Sequence, residues 1–416
     1  MTAQPNIVVI FADQHRADAM GCAGSAFVQT PNLDRLASEG VRFQNAYTPW
    51  PVCTPARATM WTGVYPHAHR IIDNVYDIDN AFESVGAVKR TVFDQLRQAG
   101  YLTAHFGKWH LGDGHPPFFD IWEESFNSRV GHWVDGRLDG QYRPTVQTDA
   151  CIAFLRDQAA DGNNQPFVMV QSYYPPHDPF TAPARFYEPF RHKGVPFAGY
   201  YAAVSALDHE IGRILDTLDA TGLREDTIVL YYSDHGETFR YRPEGEHKFV
   251  CTDDSIRIPM LISWPGTIAA GAVRTDLVGL QDLTPTLLDF AGAPPLSPCH
   301  GHSLKPMLDG WPVPDWRRAF YVQTITHVSA LHQRAWLSEG WKLIVSDDGN
   351  HELFNRHADP EEEINVFETP RPDPGFDRYT HYPSYRPVID TMVQEAAAFA
   401  QSIGDDEGAA LFGQLA

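Results

Sequence analysis

Through the first two thirds of the chain, short runs rich in β-branched and aromatic residues alternate with stretches of helical periodicity. That alternation is the signature of an α/β fold, in which helices cover both faces of a mostly parallel sheet. The runs Asn6–Phe11, Leu102–Phe106, Phe167–Ser172, Thr227–Tyr232 and Pro259–Ser263 are expected as strands. Between them, helices are expected at about Pro31–Ser38, Val92–Gln98, Val146–Gln158, Tyr200–Ala220 and Leu283–Phe290, the first with Thr30 as cap and Pro31 in its first turn. With 416 residues, 43% of them hydrophobic, the chain has enough apolar surface for one large core and a smaller companion.

Pro and Gly thicken between Ala293 and Trp316, which reads as a linker or a domain-edge loop. Beyond it the pattern changes to Arg318–Thr324, Arg334–Leu337, Trp341–Ser346 and Glu352–Phe354, expected as a small antiparallel sheet, with a helix near Val388–Gln401. The division expected is therefore a large domain over 1–312 and a smaller C-terminal subdomain over 313–416. The stretch Thr369–Pro387, rich in Pro and aromatics, is expected to be an irregular surface segment.

Charge narrows the partners. The 53 acidic residues against 32 basic ones give a formal charge of −21, so a nucleic-acid backbone would be repelled. A small or sparsely charged substrate fits better than a densely anionic polymer, unless a local basic pocket focuses the field. The chain opens Met-Thr-Ala-Gln-Pro without a basic leader, and no apolar stretch reaches bilayer length. Its cysteines (Cys22, Cys53, Cys151, Cys251, Cys299) are odd in number and scattered. A reduced, cytoplasmic protein with no membrane attachment is the simplest expectation. The 10 Trp and 24 Phe leave room for a buried interface without specifying an oligomer.

The polar residues gather where expected strands end. Asp13-Gln14-His15 follows the first strand, and Asp234-His235-Gly236-Glu237 follows the fourth. In open α/β sheets ligands bind outside the carboxyl ends of strands. Two acids there, one followed by His, offer oxygen and nitrogen ligands to a divalent cation. Asp13 alone could equally be a turn former, and an Asp-His pair can be an orienting hydrogen bond. Cys53 begins Cys-Thr-Pro-Ala-Arg, with Pro55 suited to the first turn of a helix whose amino end would stabilise an anionic nucleophile. An isolated cysteine could instead be inert and buried. A Cys-x5-Arg phosphatase loop is excluded, because Thr59 stands where Arg would be needed. Gly107-Lys108-Trp109-His110 offers a cation and an imidazole, but it is no Walker loop. Gly100 and Gly107 are separated by six residues instead of four, and Trp109 occupies the Ser/Thr position. His177 follows the third strand and Lys248 the Asp234 loop. Each has a surface-loop explanation taken singly.

Taken together, these segments resemble the sulfatase family of the alkaline-phosphatase-like superfamily, the formylglycine-dependent, Cys-type branch. The resemblance runs from Asn6 to about Phe354. It rests on Cys53-x-Pro55-x-Arg57 followed by Ala58-Thr59-Met60-Trp61-Thr62-Gly63, on Gly107-Lys108-Trp109-His110-Leu111-Gly112, and on Thr30-Pro31-Asn32-Leu33-Asp34-Arg35-Leu36-Ala37. It implies a sulfate ester hydrolase in which Cys53 is oxidised to formylglycine by a separate formylglycine-generating enzyme. One hydroxyl of the aldehyde hydrate attacks sulfur, and the other drives release of sulfate.

By motif position, Asp13, Gln14, Asp234, His235 and the modified Cys53 resemble metal ligands. Arg57 resembles the residue that holds the modified side chain, and Lys108 and Lys248 those that neutralise the sulfate oxygens. His110 would help deprotonate the nucleophile's second hydroxyl, and His177 would protonate the leaving oxygen. Many members have Asp-Asp where this chain has Asp13-Gln14, and Asp-Asn where it has Asp234-His235. Calcium is the family default for the single divalent cation, with manganese, magnesium and zinc as alternatives.

Relatives commonly close the pocket with the smaller domain. Substrate contacts are accordingly expected from Arg70–Asp79, His300, His302, His332, Arg334 and Trp336, and a polar-aromatic pocket of this kind suits a sulfated sugar, with an aryl or alkyl sulfate as alternative. Two rival functions are a phosphonate monoester or phosphodiester hydrolase of the same superfamily, and a non-catalytic homologue with an intact thiol. The first is disfavoured because such relatives usually lack the Lys108-x-His110 pair, the second because every polar position is filled.

Overall fold

The computed structural model describes residues 4–415 apart from 129, 139, 161–164, 240, 243–244, 328 and 368–384, with backbone alone at 241–242 and 245–246. Among the described residues, one eight-stranded sheet organises the first part of the chain. Its strands are β1 (Asn6–Asp13), β2 (Val41–Phe43), β3 (Leu102–Lys108), β4 (Ile121–Phe126), β5 (Phe167–Pro176), β6 (Thr227–Ser233), β7 (Met260–Ser263) and β8 (Ala272–Arg274). They lie in the order β8-β2-β7-β6-β1-β5-β3-β4. The run from β6 to β4 is parallel, and β7 pairs antiparallel with both β6 and β2.

In chain order the principal helices around this sheet are α1 (Pro31–Ser38), α2 (Cys53–Thr62), α3 (Val92–Gln98), α4 (Arg143–Ala160), α5 (Ala198–Thr221) and α6 (Leu283–Ala291). The central strands read as unbroken apolar runs because both of their faces are covered. Ile7, Val9 and Phe11 of β1 point into one core, which they share with residues of α2, α3 and α6. Val8, Ile10 and Ala12 point the other way, into a core shared with α1, α4 and α5.

Thr30 stands at the N-cap of α1 as the sequence suggested, but its hydroxyl makes no cap hydrogen bond, donating to Asp34 and accepting from the Gly21 amide. The side-chain acceptor comes from α5 instead. Asp208 accepts from the Asn32 and Leu33 amides at 3.1 and 2.8 Å, satisfying first-turn donors from a residue 175 positions beyond Leu33. The Ala293–Trp316 stretch is also no free linker. Leu304, Met307 and Leu308 are buried in the core that includes α6.

A second, antiparallel sheet follows, with β9 (Ala319–Ile325), β10 (His332–Ser338), β11 (Trp341–Ser346) and β12 (Glu352–Asn355) in sequential order. Its residues alternate between two apolar contacts, as strand periodicity requires. Tyr321, Trp336, Leu343, Val345 and Leu353 pack under α7 (Arg386–Ile403) and α8 (Asp406–Gly413). Phe320, Val322, Ala335, Leu337, Ile344 and Phe354 pack on Tyr47, Cys251, Ile256 and Leu277 of the first part. The expected irregular segment Thr369–Pro387 lies outside the described residues up to 384, and Arg386 and Pro387 open α7.

A buried ion cluster fastens the two sheets. Lys342 of β11 is fully buried, donates to the Cys251 carbonyl at 3.2 Å and to Asp253 at 2.6 Å, and pairs with Glu362. Burial alone would raise Asp253, but Lys342, Arg257 and Arg356 pull it down to about 2. Burial, reinforced by Asp253, pushes Glu362 up to about 7. Removing the cation would strand two acids in a dry site, so Lys342→Ala is expected to lower the urea midpoint by the equivalent of roughly 3–5 kcal/mol. An unchanged midpoint would mean that the cluster does not hold the sheets together.

Candidate active site

Four neighbouring strands deliver their last residues to one place. β1 ends in Asp13 and β3 in Lys108, each where the register with a neighbour shifts, and such a shift re-aims the side chain that follows. At Gly107 (φ 97°) a Cβ would lie 2.0 Å from the Ser172 carbonyl oxygen of β5. Only glycine lets β3 turn Lys108 inward there. β5 supplies Ser172 and, beyond it, His177, while Asp234 and His235 follow β6. Cys53 is the first residue of α2, and its helix start faces the same point.

Asp13, Cys53, Asp234 and His235 are all buried, and each offers an atom within 4.8 Å of the others. His235 Nδ1 lies 3.0 Å from the Gly236 carbonyl, which can only accept. That fixes the ring's proton on Nδ1 and leaves the Nε2 lone pair facing Asp13 and Asp234, 3.6 Å from each. Gln14 turns its Oε1 to the same side, 2.9 Å from Lys248 Nζ. Two carboxylates, an amide oxygen and an imidazole nitrogen fit a divalent cation.

Arg57, completely buried, donates from Nε to Asp234 at 3.1 Å and from Nη2 to Asp13 at 2.9 Å. Its Nη1 reaches Ser172 Oγ at 3.0 Å and the Lys108 carbonyl. Lys108 Nζ binds Asp13 at 2.7 Å, stands 3.9 Å from Cys53 Sγ, and lies over the Tyr174 ring at 4.1 Å. Lys248 Nζ approaches Cys53 Sγ to 3.3 Å and His177 Nε2 to 3.0 Å. Burial would raise the Cys53 thiol, yet the Lys108 and Lys248 ammonium groups bring it well below its ordinary value. For Asp13, burial and Cys53 act upward and are outweighed by Lys108, His177 and Arg57, so it stays strongly acidic. Asp234, buried beside Asp13, is pushed up to about 6.

Two histidines flank the cysteine. His110 lies against Cys53, and burial followed by Lys108 pushes it down to about 4. Its backbone is left-handed (φ 54°), and neither ring nitrogen has a hydrogen-bond partner of good geometry among the described residues. His177 Nδ1 meets the Asp178 carboxylate at 3.0 Å. Burial and Lys248 press its pKa down, but Asp13 and Asp178 outweigh them and hold it above the ordinary value.

The residues expected to touch the substrate divide. From Arg70–Asp79, Asn74 accepts from the Thr54 amide in the first turn of α2 at 3.1 Å, and the Tyr76 ring lies 5.6 Å from His110. This segment therefore borders the nucleophile. The remaining five are placed elsewhere. The His300 amide donates to Gly63 at the far end of α2, roughly 15 Å from Cys53 at the helical rise. His302 is bound through its amide to Asp282 and packs against Trp316. Arg334 is 2% exposed and commits its guanidinium to Asp405 and Glu407 at the start of α8, where His332 also pairs with Glu407. Trp336 donates to Glu395 within the core under α7. His332, Arg334 and Trp336 thus bind the second sheet to its own helices. Tyr174 and Ser172 were missed as site residues, because nothing in the sequence marks which polar residue of a strand end faces inward.

Comparison with known proteins places this geometry. A sulfatase family model matches residues 5–293, and a model of the C-terminal part of N-sulphoglucosamine sulphohydrolase matches 245–375. An ulvan-active sulfatase of Formosa agariphila is 31% identical, over 88% of this chain and 78% of that protein. An N-acetylglucosamine-6-O-sulfatase of Bacteroides thetaiotaomicron is 27% identical, over 88% of this chain and 83% of its own. Among solved structures, a protein in complex with its substrate D-glucosamine-2-N,6-O-disulfate superposes with a TM-score of 0.82 at 24% identity, covering 98% of this chain and 99% of that one. Among the described residues no helix is long and apolar enough to cross a membrane.

The donor set generates its own test. Adding a divalent cation to chelator-treated protein is expected to raise Tm, since a ligand at a hundred times its Kd contributes about 2.7 kcal/mol. Asp234→Asn should shrink that rise, and an equal rise in variant and wild type would remove Asp234 from the ligand set.

Proposed function

The chain belongs to the sulfatase family of sulfuric ester hydrolases, and we propose that it releases inorganic sulfate from a sulfated carbohydrate, with Cys53 converted to formylglycine as nucleophile. One observation carries the reading. Cys53 Sγ sits with Asp13 and His235 at 3.5 and 3.3 Å, and with Lys248 and Lys108 at 3.3 and 3.9 Å. The nucleophile position thus touches the candidate cation ligands and both lysines at once. A formylglycine-generating enzyme would act on Cys53 before or during folding, because the side chain is 1% exposed in the folded chain.

The formylglycine hydrate would supply a nucleophile that carries its own means of release. The cation would lower the cost of forming an oxyanion on it, and calcium or magnesium suits the oxygen-rich donors while His235 favours manganese or zinc. Every other part of the reaction falls to the protein. Arg57 holds Asp13 and Asp234 ionised and in register. Lys108 and Lys248 face the sulfate oxygens as charge gathers on them, in a site where the low dielectric makes such contacts strong. His110 is neutral, with nitrogens free of good protein partners among the described residues, and so is suited to take a proton from the position-53 side chain. His177, held above its ordinary value by Asp13 and Asp178 and 3.0 Å from Lys248 Nζ, is suited to protonate the leaving oxygen.

The carbohydrate assignment draws on the relatives' named substrates and on the wall beside Cys53. Asn74, and Tyr76 at 38% exposure, offer an amide and an aromatic face there, the pairing that sugars engage. In a screen of sulfated mono- and disaccharides, aryl sulfates and a phenylphosphonate ester, sulfated sugars are expected to turn over fastest. Phosphonate turnover faster by about two orders of magnitude, a rate factor equivalent to roughly 2.7 kcal/mol, would favour the phosphonate monoester hydrolase reading instead. Cys53→Ala should abolish turnover with the fold intact, and Lys108→Ala should cost about 100-fold or more in kcat. Wild-type rates in either variant would overturn the mechanism.

A further inference from the structure

Glu237 is fully buried two residues beyond His235, and the chemistry above gives it no part. Its Oε2 accepts from Gln14 Nε2. Its Oε1 accepts from the Phe239 amide at 2.7 Å and faces His247 Nδ1 at 3.1 Å. The Glu237 side chain thus serves as an acceptor, the role of a carboxylate.

Gln14 has little freedom apart from its amide. Its backbone is left-handed (φ 69°), its N–H donates to Asp234 at 3.2 Å, and its carbonyl accepts from the Tyr200 hydroxyl at 3.0 Å. What remains is a choice between two ends of one amide. Because Nε2 is taken by Glu237, Oε1 faces the other way, toward Lys248 Nζ, which itself stands 3.3 Å from Cys53 Sγ and 3.4 Å from His235 Nε2 at the candidate cation site. The flipped amide would set its carbonyl oxygen against the Glu237 carboxylate and its N–H groups against the Lys248 ammonium. Both contacts would be repulsive, and in a buried site neither is screened.

We propose that Glu237 is a positioning residue that acts through Gln14, fixing its amide so that the cation site receives a carbonyl oxygen and not an N–H group. A hard cation takes oxygen ligands, and an amide N–H pointed at it repels. Glu237 also sets a negative charge one side chain behind that oxygen, which strengthens it as a ligand. The inference rests on the cation-binding part of the proposed function and leaves the identity of the sulfate ester aside.

The test reads binding and needs no turnover. Full-length protein, stripped of metal, is titrated with Ca2+ and with Mn2+ by calorimetry, beside Glu237→Gln and a double variant that exchanges the two side chains, Gln14→Glu with Glu237→Gln. Glu237→Gln alone is expected to bind about 10- to 100-fold more weakly, the usual cost of losing an outer-shell partner. In the exchange variant the amide moved to position 237 can donate to one oxygen of the carboxylate moved to position 14, while the other oxygen faces the cation. Affinity should therefore return to within a few-fold of wild type. A role confined to supporting the Phe239 and His247 contacts would lower the Tm of the metal-free variants and leave affinity unchanged. Affinity of Glu237→Gln within twofold of wild type overturns the inference, and so does a loss that the exchange fails to restore. Absence of binding by the wild type would instead defeat the cation reading itself, and with it the inference.

Discussion

The Arg57 guanidinium is the contact on which the rest of the site depends. One buried side chain reaches Asp13 at the end of β1, the Lys108 carbonyl at the end of β3, Ser172 of β5 and Asp234 beyond β6. Phe11 closes it from below, with its ring 4.9 Å from the guanidinium carbon. Two acids brought together without that cation would repel, and one would take up a proton. With it they can remain ionised side by side, which a divalent cation requires of its ligands. A buried ion pair of this kind is weak evidence for stability, because desolvation offsets most of the attraction. Its value here is geometric: α2 cannot shift without moving four strand ends.

The same interaction resolves an apparent conflict in the charge. The chain carries a formal −21, yet a sulfate ester is an anion. Arg57, Lys108 and Lys248 all point inward at the strand ends, where burial leaves their field unscreened. The acidic surface therefore sets which large partners are kept away, and the basic centre sets which small group is held.

Much of this was legible in the sequence because strand-end chemistry has a local signature. An apolar run that stops at Asp13 or at Asp234-His235 announces both the strand and the group it presents. The five runs expected in the large sheet, and the small antiparallel sheet after them, lie where the periodicity put them. The failures share one cause, a partner distant in sequence. Arg334 and Trp336 looked like pocket residues because no local pattern announces α8 or Asp405, which lies 71 residues from Arg334 and occupies its guanidinium. Thr30 does stand at the N-cap of α1, but the side-chain acceptor for the first-turn amides is Asp208 of another helix. Glu237 stood in plain view beside His235, and only the folded chain shows that it faces Gln14.

The site thus has a rigid floor and a changeable wall. The floor consists of strand ends and a helix start, all buried, in which a small displacement would separate the nucleophile from its cations. The wall is loop: within Arg70–Asp79, Ile72 and Tyr76 are exposed at 44% and 38%, whereas Asn74 ties the segment to the start of α2 through the Thr54 amide. Lys248 lies among the floor residues yet rides on a loop, and the second sheet packs close behind that loop. Lys342 grips Cys251 and Asp253, three and five residues beyond Lys248, and so converts a loop lysine into one held by a sheet. The second sheet thus touches the segment that carries Lys248 through that grip, while Arg334 and Trp336 bind their own helices.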